Sequence, residues 1–208
     1  MTLDLSLYLV TDRRQTRGRT LIDTVHAALD GGARAVQLRE KDLLGAELLR
    51  LATELRDLTV RYGAAFFVND RVDVALAAGA DGVHLGQNAI PPVTARRLLG
   101  SDRLIGVSTH TSAEVARAIE AGADFVVFGP VYWTPSKTPF GAPRGLEELA
   151  SITACAQVPV LAIGGISAER VADVRSAGAS GVAVISAIMS AEDPCRAARE
   201  LRAAMRRG

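Results

Sequence analysis

The sequence is poor in the residues that mark several specialised classes of protein. It has two cysteines among 208 residues, Cys155 and Cys195, and their spacing matches no metal or redox motif, which favours a reducing compartment. Lysine and arginine number 24 against 23 acidic residues, so no basic face points to nucleic acid. No apolar run approaches a membrane span, and MTLDLSLYLVTD predicts a strand rather than a signal peptide. These absences predict a cytoplasmic protein without nucleic-acid or membrane partners.

Apolar residues, by contrast, are abundant and come in short runs. They make up 49% of the chain, enough for one domain with a full core over residues 1–208. Four segments share one wording: GGARAVQLRE, AAGADGVHLGQ, EAGADFVVFGP and SAGASGVAVIS. In each, a glycine is expected to end an amphipathic helix. The apolar run that follows is typical of a strand buried on both faces of a parallel sheet.

The spacing of these segments predicts the number of strands. The glycines Gly32, Gly79, Gly122 and Gly178 lie 47, 43 and 56 residues apart, and each interval has room for two strand–helix units. Apolar strings near AFFVND, LIGVSTH and VPVLAIGGI supply the intermediate strands. Eight such units predict an α/β chain folded as a single (β/α)8 TIM barrel. An open doubly wound sheet is the alternative, and the lack of a composition break favours closure.

In such a barrel the chemistry gathers where the strands end. Strand 2 ends in QLREK, where period-two spacing puts Gln37, Arg39 and Lys41 on one side. Glu40 and Asp42 beside them are alternative partners for the two cations. The ends of strands 3 and 5 supply further polar candidates: Asn69, Asp70, Ser108 and His110.

Two other strand ends predict a phosphate site. Gly164 and Gly165 let backbone N–H groups approach an anion closely, and a helix start follows. Ile185, Ser186 and Ala187 precede another helix start, and phosphate sites after strands 7 and 8 recur in barrels. A tight turn without a ligand is the alternative for the glycine pair.

A long irregular segment after strand 6, GPVYWTPSKTPFGAPRG, is unusual in so compact a chain. Thr134 and Ser136 offer hydroxyl donors, Lys137 offers a cation, and three prolines stiffen the segment. We interpret it as a lid over two phosphorylated ligands, with an ordinary surface loop as the alternative.

The three histidines differ in position. His26 is expected within the first helix and His84 within strand 4, where packing is the favoured role. His110 closes strand 5 before TSAE, a capping box from Thr111 to Glu114. It is therefore the histidine expected to transfer protons or contact a ligand.

These motifs, taken in order, resemble those of thiamine phosphate synthases and of their sister branch, the thiazole tautomerases. The resemblance rests on YLVTD, QLREKD, VNDRVDVALAAGADGVHLGQ, GVSTHT, FGPVYWTPSKT, AIGGI and GVAVISAI, from Tyr8 to about Ile188. It implies a transferase that joins hydroxymethylpyrimidine diphosphate to thiazole phosphate with Mg²⁺, releasing pyrophosphate.

The resemblance also implies residue roles. Gln37, Arg39 and Lys41 correspond to the strand end that binds the pyrimidine and its diphosphate. Asn69 corresponds to a pyrimidine-side contact, Asp70 to a metal ligand, and Ser108 to a substrate-binding serine after strand 5. The thiazole phosphate side corresponds to Thr134, Ser136, Lys137, Gly165, Ile185 and Ser186, of which Lys137 also reaches the diphosphate.

One departure from the family pattern concerns the metal. After HLGQ the family has an acidic pair whose aspartate is the second Mg²⁺ ligand, whereas this chain has Asn88 and Ala89. The tautomerase branch, an isomerase that depends on a histidine at the position of His110, is therefore the alternative. A phosphate-binding homologue without activity is a third. Intact QLREK and VND motifs favour the synthase, and the sequence leaves a homo-oligomer open.

Overall fold

The strands follow the predicted order in the computed structural model, which describes residues 3–134 and 142–207. They are β1 Leu7–Val10, β2 Ala35–Leu38, β3 Ala65–Asn69, β4 Gly82–Leu85, β5 Leu104–Thr109, β6 Phe125–Phe128, β7 Val160–Ile163 and β8 Gly181–Val184. Each strand pairs in parallel with the next, and β1 also pairs with β8. The sheet is thus a closed barrel, as predicted, and the alternative of an open sheet is wrong.

Helices alternate with the strands along the chain. They are α1 Leu21–Asp30, α2 Gly45–Arg61, α3 Val72–Ala77, α4 Pro92–Leu99, α5 Ser112–Glu120, α6 Gly145–Cys155, α7 Val171–Ser176, α8 Ser186–Met189 and α9 Pro194–Arg206. The four repeated glycines follow α1, α3, α5 and α7 with φ between 64° and 106°, which confirms their predicted role as left-handed caps. Among the described residues, no helix has the length and apolar character needed to cross a membrane.

Strand alternation divides the buried side chains into two layers. Residues such as Leu7, Leu9 and Val36 point outward and join the apolar side chains of the helices. Their neighbours point inward, where Tyr8, Phe67 and Phe125 pack edge to face with ring centroids 5.3–5.8 Å apart. The barrel axis is therefore filled with side chains, and a ligand must bind at the rim above this floor.

Candidate active site

The eight parallel strands present their carboxyl ends at one rim of the barrel. The predicted site residues within the described ranges belong to these strand ends or to the residues that follow them: Gln37, Arg39, Lys41, Asn69, Asp70, Ser108, His110, Thr134, Gly165, Ile185 and Ser186. Two further predicted residues, Ser136 and Lys137, lie outside the described residues.

Gln37 occupies the inner face of β2. Its neighbours Val36 and Leu38 point outward into the core under the helices, whereas Gln37 is 2% exposed within the barrel. Its Nε2 has no hydrogen-bond partner among residues 3–134 and 142–207. An unpaired buried donor normally costs about 1–3 kcal/mol. Such a donor near a strand end makes Gln37 a candidate for binding a ligand acceptor.

Arg39 and Lys41 follow β2, and the alternative that Glu40 and Asp42 neutralise them is wrong. Glu40 is buried and accepts hydrogen bonds from the Thr11 hydroxyl at 2.8 Å and from the Arg13 backbone N–H at 3.1 Å. The Arg13 guanidinium pairs with both acids, and its hydrogen bond holds the pKa of Asp42 well below its usual range.

Arg14 adds a second cation to Asp42, at 2.6 Å. Within the described part of the chain no ion pair involves Arg39 or Lys41. The acidic sequence neighbours of these two cations therefore point toward β1 and its loop, and Arg39 and Lys41 are candidates for binding an anionic ligand.

His84 is the residue whose importance the sequence analysis missed. It lies buried on the inner face of β4, and its Nε2 is 2.8 Å from the Ser108 Oγ on β5. Burial, followed by the charge of Arg39, lowers the pKa of His84 to about 3, so the ring is neutral near pH 7. The alternation of inward and outward side chains along a strand could have indicated this contact from sequence, because His84 and Ser108 both occupy inward positions near their strand ends.

Asn69 and Asp70 close β3 with an unusual backbone. Asp70 adopts φ +59°, a left-handed conformation that is uncommon outside glycine. Its Oδ1 accepts from the Gly86 backbone N–H at 2.7 Å, and its Oδ2 accepts from the Asn69 amide at 2.8 Å. Such strain persists where the surroundings fix the residue, and it is common at functional sites. The carboxylate of Asp70 is therefore held in one place beside the end of β4.

The donor set around Asp70 fits a magnesium ion only in part. Each of its oxygens accepts one hydrogen bond and keeps lone-pair capacity for a cation. Ala89 supplies no ligand, and the described residues contain no cluster of three or more ligating acidic, histidine or cysteine side chains. Mg²⁺ commonly uses one or two carboxylates together with water and substrate phosphates. Asp70 therefore suits an ion that is held jointly with a phosphorylated ligand.

A cleft of about 80 Å³ lies between the ends of β6, β7 and β8. Its lining includes Pro130, Thr134, Gly164, Gly165, Ile185 and Ser186. Gly165 has φ +64°, and a Cβ added there would lie 2.7 Å from the Trp133 carbonyl oxygen and 2.8 Å from Tyr132 Cβ. Only glycine fits this approach without displacement, so backbone rather than side chain lines this wall of the cleft.

The described ends of the segment between β6 and α6 are fastened to the same wall. Backbone N–H groups of Val131 and Tyr132 donate to Ile163 and Gly164, at 2.8 Å and 3.0 Å. On the return side, Arg144 donates to the Pro130 carbonyl at 2.8 Å. The segment predicted to be a lid therefore leaves and rejoins the barrel next to the cleft.

His110 follows β5 and is turned toward β6. Its ring Nδ1 is hydrogen-bonded to the Gly129 carbonyl oxygen, so Nδ1 carries a proton. Half of the predicted capping box is present, since the Glu114 backbone N–H donates to the Thr111 hydroxyl at 3.2 Å. The Glu114 carboxylate accepts from the His110 backbone N–H at 2.7 Å, one residue earlier than a standard box.

Comparison with known proteins connects this rim to a family. A family model described as thiamine monophosphate synthase matches residues 7–188. The thiamine-phosphate synthase of Methanoculleus marisnigri is 50% identical over 196 residues, which covers 94% of this chain and 93% of the relative. That of Chloroflexus aurantiacus is 48% identical over 201 residues, covering 97% and 93%.

A solved structure agrees with these matches. The thiamine phosphate pyrophosphorylase of Pyrococcus furiosus superposes with a TM-score of 0.90 at 40% identity, covering 98% of this chain and 96% of that one. The resemblance inferred from the ordered motifs is confirmed, and so is the prediction of a transferase. The chain belongs to the thiamine monophosphate synthase family.

Proposed function

We propose that this chain joins the methylene carbon of a hydroxymethylpyrimidine diphosphate to the ring nitrogen of a thiazole phosphate, giving thiamine phosphate and pyrophosphate. Family membership supports the reaction. The main structural observation in support of the proposal is that one rim of the barrel has two separate regions suited to anions. Arg39 and Lys41 follow β2 without an ion pair in the described chain, and the glycine-lined cleft lies at β7 and β8.

On the pyrimidine side, the buried Gln37 amide and the Asn69 side chain supply hydrogen bonds to the ring. Arg39 and Lys41 attract the diphosphate, and Ser108, near the end of β5, adds a hydroxyl. These groups lie above the aromatic floor of the barrel, which excludes water beneath the ring.

On the thiazole side, Gly165, Ile185 and Ser186 form the phosphate cradle, in which backbone N–H groups approach the phosphate oxygens. Thr134 lines the same cleft. By resemblance, Ser136 and Lys137 complete this half, and Lys137 reaches from the lid segment to the diphosphate. Both residues lie outside the described part of the chain.

The reaction needs little proton transfer. The bond from the methylene carbon to the diphosphate oxygen breaks, and its electron pair leaves with the diphosphate. The pyrimidine stabilises the resulting carbocation, and the lone pair of the thiazole nitrogen then forms the new C–N bond. Catalysis therefore consists of positioning the nucleophile and stabilising the departing anion. Magnesium, when bound, would neutralise part of that charge, with Asp70 as its protein ligand.

Parallel assays of purified protein test the proposal. Thiamine phosphate formation is measured with the pyrimidine and thiazole substrates, and isomerisation is measured with a thiazole carboxylate phosphate. Arg39→Gln should lower coupling by about 10²-fold or more, since it removes a cation directed at developing negative charge. Arg14→Gln is the matched control, because Arg14 lies near the same rim but already pairs with Asp42, and it should change coupling only a few-fold. Isomerisation without coupling by the wild type would overturn the proposal.

A further inference from the structure

Three polar side chains, those of Tyr8, His84 and Ser108, form a continuous line across the inside of the barrel. The Tyr8 hydroxyl lies 3.4 Å from Nδ1 of His84, a long hydrogen bond, and His84 Nε2 lies 2.8 Å from Ser108 Oγ. Tyr8 is completely buried and His84 is 3% exposed. Ser108 is half-buried, so the line runs from the core floor to the rim.

The His84 ring is clamped in position. It packs beside the rings of Tyr8 and Phe125, with centroids 5.8 Å and 5.9 Å away. Gly106, its register partner on β5, leaves the space the ring needs, since a Cβ there would lie 2.8 Å from His84 Nδ1. A ring held so closely keeps one orientation toward Ser108.

The hydrogen-bond partners of the His84 ring determine its tautomer. A neutral imidazole has one donor nitrogen and one acceptor nitrogen, and burial raises the pKa of Tyr8, so its phenol keeps its proton. Within residues 3–134 and 142–207 the Tyr8 hydroxyl has no hydrogen-bond partner other than His84 Nδ1. If Nδ1 carried the ring proton, the phenolic proton would be buried without an acceptor, which is strongly unfavourable. Nδ1 is therefore the acceptor, and Nε2–H donates to Ser108 Oγ.

We propose that His84 is a positioning residue that directs the Ser108 hydroxyl proton away from the barrel core, so that Ser108 acts as a hydrogen-bond donor to an acceptor atom of the bound pyrimidine diphosphate. With Oγ occupied by the Nε2–H of His84, its own proton points toward the mouth, where Arg39 and Lys41 also present donors. This inference rests on the proposed function for the identity of the acceptor. The tautomer of His84 does not depend on that function.

Kinetics of three variants test the role of His84. His84→Leu should lower the kcat for coupling roughly tenfold, the equivalent of one hydrogen bond. In a Ser108→Ala background the same change should lower kcat less than about twofold, because His84 then has no hydroxyl to direct. His84→Gln, which can again place an N–H near Ser108, should recover most of the loss. If the kcat losses of His84→Leu and Ser108→Ala simply multiply in the double variant, His84 serves packing alone. The same conclusion follows if the kcat of His84→Gln is no higher than that of His84→Leu.

A spectroscopic measurement tests the tautomer directly and needs neither activity nor a variant that folds. Two-bond ¹H–¹⁵N correlations of wild-type protein with ¹⁵N-labelled histidine should show His84 as the Nε2–H form. His110, whose Nδ1 bonds to a carbonyl oxygen, should show the opposite Nδ1–H form and serves as an internal contrast. A Nδ1–H form at His84 would refute the inference. Absence of coupling by the wild type would instead count against the proposed function and leave the tautomer result valid.

Discussion

Gly165→Ala places one methyl group against the wall of the proposed phosphate cradle. The added Cβ would lie 2.7 Å from the Trp133 carbonyl oxygen and 2.8 Å from Tyr132 Cβ, closer than real Cβ contacts come. These atoms belong to the segment fastened by hydrogen bonds to β7. The segment must therefore move, and the cleft it helps to line must change shape.

A second glycine separates backbone strain from this collision. Gly79 has φ +64°, the same value as Gly165, but its Cβ would meet no atom of the described chain within 4 Å. Gly79→Ala should cost about 1–2 kcal/mol of unfolding free energy, the strain of an L-residue in the left-handed region. Gly165→Ala should add about 1–3 kcal/mol for overpacking. For a chain of this size each kcal/mol lowers Tm by about 2–4 °C.

The assay combines thermal unfolding with steady-state kinetics in which thiazole phosphate is varied. Gly165→Ala should raise the KM for thiazole phosphate about tenfold or more, since weakening one hydrogen bond to a charged group costs about 1.5–3 kcal/mol. Its KM for the pyrimidine diphosphate should change much less. Gly79→Ala should lower Tm and leave both KM values near wild type. Equal kinetic behaviour of the two variants would show that Gly165 does not line the thiazole phosphate site.

Three further predictions concern single residues. Lys137→Ala, proposed from sequence alone, should lower coupling turnover about 10²- to 10³-fold with little change in Tm; unchanged turnover would make the segment an ordinary loop. His110→Ala should reduce coupling only a few-fold, through loss of the hydrogen bond to the Gly129 carbonyl. Any isomerase activity should fall roughly 10²- to 10⁴-fold. The two activities are measured on the same sample. Because the His84 pKa is lowered to about 3, the unfolded chain binds a proton below about pH 6.5 that the folded chain excludes. Urea unfolding should therefore show stability falling by up to ~1.4 kcal/mol per pH unit toward pH 3, and His84→Gln should lose this contribution.

Much of the architecture could be predicted because short sequence patterns that repeat along the chain determine it. Glycine caps, uninterrupted apolar runs and regular spacing are each set by residues close together in the chain, and together they require eight parallel strands. The rim residues followed from the same pattern, because a parallel barrel brings all its carboxyl ends together. Gln37, Asn69 and Ser108 are found there for this reason.

The partners of charged residues could not be predicted in the same way. Glu40 stands between Arg39 and Lys41 in sequence, yet its carboxylate faces Thr11 and Arg13. Contact between the β1 loop and the end of β2 decides this pairing, and the two segments are 27 residues apart. Sequence proximity is a poor guide at a strand end, since successive side chains point to opposite faces.

His84 shows a second limit of the sequence. A histidine in an apolar strand is more often a packed core residue, and this one is indeed buried among aromatic rings. The register of β4 against β5 gives His84 a further role besides packing, because it pairs His84 with Gly106. Ser108 then lies one inward position further along β5, within hydrogen-bond distance. Register depends on the whole barrel and is invisible to the strand alone.

The last prediction concerns the proposed metal site and the turn after β4 that carries Ala89. The sequence resemblance implies that Ala89 replaces a second acidic metal ligand. Its backbone N–H donates to the Gly86 carbonyl at 3.1 Å in a tight turn. The N–H of Gly86 in turn donates to Asp70 Oδ1 at 2.7 Å. The turn that carries residue 89 is therefore tied to the carboxylate proposed to hold the metal.

Ala89→Asp should place a second hard anionic ligand close to Asp70. We expect the wild type to bind Mg²⁺ weakly without substrate and to acquire it mainly with the diphosphate, because Mg²⁺ then relies on one carboxylate and substrate oxygens. The variant should bind Mg²⁺ several-fold more tightly in calorimetry without substrate, and should need less Mg²⁺ for half-maximal coupling. Asn88→Asp is the matched control: it adds the same charge at the neighbouring exposed position and should change both quantities less. If Ala89→Asp shifts neither quantity beyond that control while the wild type couples its substrates, then the turn after β4 does not face the metal, and Asp70 holds Mg²⁺ without help from that side of the rim.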